Sequence, residues 1–188
     1  RLVTLYGRQL ASHVAIIPHL ALPFMVDQRK SILDQVGVSQ EQVLIVTAGF
    51  ATFAKRFDWL VEALNEVANR GTDFFWVHAG KERFEEYNLS GLISKYPAVK
   101  QRSLITGYLD EEDLNAFIGA SDILVNLRFP SVGESSGSLA RAMSVAKCCI
   151  VSETAAYAEL PRGTVVQIPL ASPIRYLADV LYALLLNP

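Results

Sequence analysis

The chain is short of the residues that build redox and metal chemistry. It has two cysteines and three histidines in 188 residues. The cysteines, Cys148 and Cys149, are neighbours in an apolar run, so their side chains point to opposite faces of a strand and do not pair with each other. They read as small buried hydrophobes in a reducing compartment. No Cys/His spacing suits a metal, so no metal site is expected. Charge of one sign is also lacking: the formal net charge is -2, with acids and bases mixed. Without a basic block, nucleic acid is not expected as a partner. No apolar run reaches transmembrane length, so no membrane-spanning segment is expected in this stretch. Several motifs are missing as well. The strand at Val43 is not followed by a Gly-rich dinucleotide turn, and there is no phosphate loop ending in Gly-Lys-Ser/Thr. No Gly-x-Ser-x-Gly elbow is present. Dehydrogenase, ATPase and hydrolase readings all lose ground.

What is present is apolar residues, 51% of the chain, enough to bury a large core. The length fits one domain. Arg1 is not a methionine and Asn187-Pro188 follows a helical run, so both ends read as cuts within a longer protein.

The chain is organised around Arg128 to Glu153. The apolar strand Asp122–Asn126 runs into a polar turn, Gly133-Glu134-Ser135-Ser136-Gly137. A helix from Ser138 to about Ala146 and a strand from Cys148 to Val151 follow. Strand, small-residue turn, helix and strand is how a parallel sheet builds a ligand site at its carboxyl ends. Free N–H groups at the helix start suit a phosphate or sugar hydroxyl.

The rest of the chain alternates in the same way. Arg1–Gln9 suggests a short helix, and His13–His19 a short strand stopped by Pro18. Gln28–Leu33 reads as a helix closed by Gly37, and Val43–Thr47 as a strand covered on both faces. Lys55 opens a helix with Phe57, Leu60, Val61, Leu64 and Val67 at helical spacing, ended by Gly71. Phe74–Val77 is a strand. Glu82–Lys95 is helical in part, and Leu104–Thr106 is a short strand. Asp110 is placed to cap a helix that buries Leu114, Phe117 and Ile118. Tyr157–Leu160 is a turn or short helix and Thr164–Ile168 a strand. Ser172-Pro173 caps the last helix, whose stripe is Ile174, Leu177, Leu181 and Leu184. The alternation predicts an α/β fold: an open parallel Rossmann-like sheet of five or six strands with helices on both faces.

Each candidate site residue has a structural alternative. Lys55 and Arg56 sit where a loop becomes a helix; they suit a pyrophosphate, or they are surface cations at a solvated cap. Glu134 accepts hydrogen bonds from sugar hydroxyls or caps the helix. Gly137 lets a ligand approach the backbone or makes a tight turn. Arg128 ends a strand and can face the same cleft. His19, His78 and Glu159 lie near strand or turn ends, where a local hydrogen bond is the simpler role. Asp122, at a strand start, belongs to the opposite sheet edge and reads as structural.

Together these pieces resemble the C-terminal, donor-binding domain of the group 1, or family 4, retaining glycosyltransferases. These have two Rossmann-like domains facing across a cleft. The likeness runs from about His13 to Leu184. Ile16-Ile17-Pro18-His19 resembles the entry to that domain. Gly49 through Lys55-Arg56 resembles its first phosphate-binding loop, with Phe50 where an Arg is often found. Gly107-Tyr108, Asp110, Leu114 and Ala120-Ser121-Asp122 resemble the segment framing the nucleotide base. Gly133–Gly137 with Arg141-Ala142-Met143 and Glu159-Leu160-Pro161 resembles a bacterial branch with a Gly-Glu-Thr-Ser-Gly type turn. The sequence departs from the common signature, whose second glutamate grips the ribose: that position falls on Ala142 or Arg141. Ala146-Lys147-Cys148 replaces the usual Gly-Lys-Pro, and Glu153-Thr154-Ala155 the usual Asp-x-Gly.

The resemblance implies one nucleotide-sugar-binding domain over 1–188, with the acceptor domain elsewhere in the protein. It implies retaining transfer from a nucleotide-diphosphate sugar to a hydroxyl of a glycan or lipid-linked acceptor, as in polysaccharide biosynthesis, with no cofactor. Glu134 would face the donor hexose as the catalytic residue. Lys55, Arg56, Ser135, Ser136 and Gly137 would hold the phosphates. Gly49, Gly107 and Tyr108 would lie by the base, and His19, Arg128, Arg141 and Glu159 along the cleft. The implied location is cytoplasmic, at the inner membrane face for the full-length protein. The lost glutamate motivates a second reading, a non-catalytic binding or assembly domain on the same fold. A third, half of a sugar-nucleotide epimerase, lacks an added acid/base set.

Overall fold

The computed structural model describes residues 15, 19–24, 27–83 and 85–187. The expected helix at Arg1–Gln9 and most of the His13–His19 strand lie outside them. Six strands form one sheet: β1 (Leu44–Ala48), β2 (Phe75–Ala79), β3 (Ser103–Ile105), β4 (Ile123–Asn126), β5 (Cys148–Ser152) and β6 (Val166–Ile168). All neighbours pair in parallel, in the order β3-β2-β1-β4-β5-β6. The eight helices among the described residues are α1 (Arg29–Val36), α2 (Phe57–Asn69), α3 (Leu89–Ile93), α4 (Pro97–Lys100), α5 (Glu111–Ala120), α6 (Gly137–Ser144), α7 (Ala155–Ala158) and α8 (Pro173–Leu186). This is the Rossmann-like architecture expected from the alternation of elements.

The strands are apolar throughout because both sheet faces are covered. Alternate residues feed two cores. Ile45, Trp76, Val125 and Ile150 pack against Leu60 and Leu64 of α2 and Leu177 and Leu181 of α8. Leu44, Val46, Leu124, Cys149 and Val151 pack against Phe117 of α5 and Leu139 and Ala142 of α6. Cys149 is therefore buried and Cys148, facing the other way, is half-buried; burial, and then the neighbouring Cys148, push the Cys149 thiol up to about 12.

The amino edge of the sheet is pinned by one carboxylate. Asp122 Oδ2 accepts from the Leu44 N–H at 2.7 Å and from the Arg29 guanidinium at 2.9 Å. The structural role expected of Asp122 is met at that edge. Asp110 caps α5, its Oδ1 accepting from the Asp113 N–H at 2.9 Å.

Two local expectations are corrected and a third is met. Lys55 does not open α2: Phe53–Lys55 is a 3-10 turn, Arg56 takes a left-handed conformation at φ 52°, and the helix begins at Phe57. Glu82–Lys95 is helical in part, as expected: it holds the short α3, which Asn88 caps late by accepting from Gly91 N–H. Ser172 precedes α8 but sits at φ 56° and makes no side-chain cap. The helix is held instead by its apolar stripe against α2.

Candidate functional site

In an open parallel sheet, the ligand crevice lies outside the carboxyl ends of the strands where the order reverses. Here that point is between β1 and β4, and the loops leaving these strands converge on it. Lys55, delivered by the 3-10 turn after β1, folds back so that Nζ donates to the Ala48 carbonyl at 2.6 Å. Gly49 makes room: a Cβ there would lie 3.1 Å from Lys55 Nζ and 3.9 Å from Ser138 Oγ in the first turn of α6. Gly49 is also at φ 83°, which disfavours any side chain.

The ammonium is largely buried, and among the described residues it pairs with no carboxylate. Desolvation, then the Arg128 cation, lower its pKa to about 8. Arg128 leaves β4, its N–H held by Ser152 Oγ at 2.7 Å. Its Nη1 donates to Glu134 Oε1 at 2.7 Å, and its buried Nε has no partner among the described residues. His78, at the end of β2, is fully buried. Its Nδ1 meets Thr47 Oγ1 at 3.0 Å, and that hydroxyl also accepts from the Trp76 indole at 3.1 Å. Burial, then Lys55, hold the imidazole down to about 3, so it is neutral at ordinary pH.

The turn before α6 is built from local bonds. Ser136 is the N-cap, accepting from Leu139 N–H at 3.3 Å and from Asn126 Nδ2 at 3.0 Å. Asn126 also donates to Tyr157 OH at 2.8 Å. Glu134 does not cap the helix. It closes its own loop, Oε2 accepting from Ser131 Oγ and Val132 N–H, both at 2.9 Å. Desolvation opposes ionisation there, but bonds from its own N–H, Ser131, Arg128 and Val132 prevail and hold the carboxyl at about 2. His19 lies over the start of α6, its Nε2 3.5 Å from where a Gly137 Cβ would be. With Ser135 and Ser136 it lines a cavity of about 480 Å³ floored by Leu139, Met143 and Tyr157.

The structure thus gathers Gly49, Lys55, Arg128 and the start of α6 around the reversal point. Tyr108 lines a second cavity with Gly49, between β1, β2 and α5, while Gly107, at φ 81°, has open space around its Cα and is not part of that lining. Three expected residues do not join. Arg56 is engaged by Asp58 and stacks 4.3 Å over Trp59, so its charge is already matched. Arg141 points along the helix to α5, donating to Glu111 at 2.7 Å and Asn115 at 3.3 Å. Ala142, the other position for the missing acid, is buried in the core. Glu159 is exposed at the end of α7. Sequence reasoning passed over Asn126 and Ser138. A polar residue closing an apolar buried strand, as Asn126 closes Ile123–Asn126, was the available signal.

Among curated proteins, none matches the sequence closely enough to count as a relative. Solved structures do match the fold. HepE from Anabaena, solved with UDP and glucose, has a TM-score of 0.77 at 16% identity over 98% of this chain and 50% of that one. WaaG, a glycosyltransferase involved in lipopolysaccharide biosynthesis, gives 0.71 at 17% identity over 87% and 43%. The C-terminal domain of LpcC, a glycosyl transferase group 1 family protein from Francisella tularensis, gives 0.69 at 17% over 88% and 85%. The chain thus spans half or less of HepE and WaaG but most of the isolated LpcC domain. Residues 41–187 match the family model for glycosyl transferases group 1, a stretch that takes in every strand and the whole reversal-point crevice. The chain belongs to the group 1 glycosyl transferases.

Proposed function

We propose that this domain holds the nucleotide-diphosphate sugar donor of a retaining glycosyltransferase whose acceptor hydroxyl belongs to a glycan or a lipid-linked glycan. The observation that carries this is Lys55. A buried ammonium that pairs with no carboxylate among the described residues is costly to keep, and it sits at the reversal point facing the start of α6. A diphosphate there would supply the missing countercharge and accept from the first N–H groups of α6. Arg128 lies beside the ammonium with Nη1 held by Glu134 and a buried Nε without a partner among the described residues. Ser135, Ser136 and Gly137 line the approach from the α6 side. Gly49, Gly107 and Tyr108 lie toward the nucleoside. Glu134, ionised and one third open to solvent, faces the donor hexose.

In the reaction the bond between the sugar and the leaving phosphate breaks, and the acceptor oxygen bonds to the same face of the anomeric carbon. The acceptor proton passes to the departing phosphate. Lys55 and the helix N–H groups stabilise the charge that develops on the leaving group, so the step is served by groups already in place. Cytoplasmic work at a membrane face follows from a lipid-linked acceptor; no helix of the described residues is long and apolar enough to cross a membrane.

The test is calorimetric titration of the full-length protein with nucleoside diphosphates and their hexose conjugates, beside Lys55→Ala. Binding lost in the variant supports the reading, and anomeric analysis of the product by NMR checks retention. One observation favours a second reading. Arg141 is tied to Glu111 and Ala142 is in the core, so neither position offers the acid of the common signature. A full-length protein that binds donor but transfers no sugar to any acceptor would make this a binding domain only.

A further inference from the structure

Asn126 is the only polar residue of β4, and it is buried like the apolar residues before it. An apolar side chain would serve the sheet as well, and a buried amide is tolerated only when it is bonded. Its Nδ2 spends both hydrogens, one on Ser136 Oγ at 3.0 Å and one on Tyr157 OH at 2.8 Å. One side chain thus ties the end of β4 to the cap of α6 and to α7. A hydroxyl has one hydrogen to give and two lone pairs to fill. Ser136 Oγ accepts from Asn126 and, at 3.3 Å, from Leu139 N–H, so the protein takes both lone pairs. Its hydrogen goes to no partner among the described residues. It is free for the cavity of about 480 Å³ that Ser136 lines. Tyr157 OH also accepts from Asn126 and lines the same cavity.

The orientation of the amide decides where those hydrogens point. Turned over, Asn126 would accept from both hydroxyls, and their hydrogens would face inward. The neighbouring charge opposes that arrangement. Asn126 shares a small cavity of about 10 Å³ with Lys55. With Nδ2 facing α6 and α7, Oδ1 is left for the side of the ammonium. A carbonyl oxygen is favoured beside a cation, and an amino group is not.

We infer that Asn126 is a positioning residue for the transfer reaction. It fills the last lone pair of Ser136, so that this hydroxyl can only donate, and it presents the O–H beside the first N–H groups of α6 to a phosphate oxygen of the donor. Phosphate oxygens only accept. A hydroxyl already set as a donor meets one without first turning, which is the use of preorganisation. This rests on the donor-domain reading, because the diphosphate is what supplies the acceptor.

The experiment is calorimetric titration of the full-length protein with UDP-glucose, GDP-mannose and ADP-glucose, and then of its variants with whichever of these binds. Asn126→Asp keeps the shape but, ionised, only accepts, so both hydroxyls must turn their hydrogens inward. Asn126→Leu removes the amide and leaves the Ser136 hydroxyl free to rotate. Affinity is expected to fall about ten-fold in Asn126→Asp and less in Asn126→Leu. On a Ser136→Ala background neither change should weaken binding further, because the hydroxyl they act through is gone. A purely structural role, or the charge of the new carboxylate, would weaken binding equally in both backgrounds. That result overturns the inference, and so does an affinity that neither Asn126 variant changes. Thermal melts check that each variant is folded at the titration temperature; if Asn126→Leu is not, the comparison with Asn126→Asp decides. Failure of all three sugar nucleotides to bind the parent protein overturns the donor-domain reading, and this inference with it.

Discussion

Lys55 is a residue the fold would be more stable without. Its ammonium has a pKa of about 8 in the folded protein against 10.5 ordinarily, a difference worth about 3 kcal/mol at about 1.4 kcal/mol per unit. The sign follows from proton counting. Between pH 8 and 10.5 the unfolded chain holds the Lys55 proton and the folded chain has lost it, so stability from this group rises with pH across that window. Below pH 8 the full penalty stands. Lys55→Met keeps the length and removes the charge, but it also frees the Ala48 carbonyl of its 2.6 Å donor, which costs about 1 kcal/mol. The net expectation is a variant about 2 kcal/mol more stable than the parent at pH 6, an advantage gone by about pH 10.5. Urea unfolding of both proteins across pH 6 to 10.5, read as the difference between them, isolates this group from the others that titrate. Nucleoside diphosphate binding should fall at least ten-fold in the same variant. A Met variant that is less stable at pH 6, or a difference flat with pH, would refute the claim that the ammonium is held against a desolvation penalty.

Gly80→Ala brings a Cβ to 2.1 Å from the Gly49 carbonyl oxygen, so a loss of about 3 kcal/mol is expected in urea melts. Asp110→Ala removes the cap bond to Asp113 N–H and should cost about 1 kcal/mol, with faster amide exchange confined to the first turn of α5. Cys149, with its thiol pushed up to about 12, should resist alkylation at pH 8 in the native protein and react fully once unfolded, as followed by mass spectrometry. The Glu134 carboxyl is held at about 2 against an ordinary 4.5. Its contribution to stability should therefore be present above pH 4.5 and fade toward pH 2, and Glu134→Gln should open the 128–134 loop to proteolysis at neutral pH.

The sheet was legible because its strands are buried on both faces and must be apolar without interruption. Leu44–Ala48 and Ile123–Asn126 show this plainly, and the glycines at 37 and 71 mark helix ends by their positive φ. Asp110 was legible because capping is decided within four residues. Lys55 and Arg56 were legible only as cations near a helix start. Which of them enters the crevice depends on Arg56 adopting a left-handed backbone and being met by Asp58 and Trp59, and no pattern of side-chain types announces that. Glu134, by its distance from the helix, suited either a cap or an acceptor for sugar hydroxyls, and only the cap is decided by the fold. Ser136 is two residues nearer and takes the cap, leaving Glu134 for Arg128. Arg141 could not be placed from sequence because its partner, Glu111, is 30 residues away on α5. His78 looked like a local hydrogen-bonding group at a strand end. That much holds, though its partner Thr47 lies on the neighbouring strand.

The contact between Gly49 and Gly80 has a mechanical consequence. Two backbones touch there with no side chain between them, and the Gly49 N–H also donates to the Ala79 carbonyl at 2.9 Å while Ala51 N–H reaches the Lys81 carbonyl at 3.0 Å. Side chains can rotate to absorb a displacement, but a backbone seated on a backbone transmits it. The loops after β1 and β2 therefore shift as one body. The Lys55 ammonium lies against the same glycine, so the two loops and this cation form one backbone-braced unit rather than three independently adjustable parts.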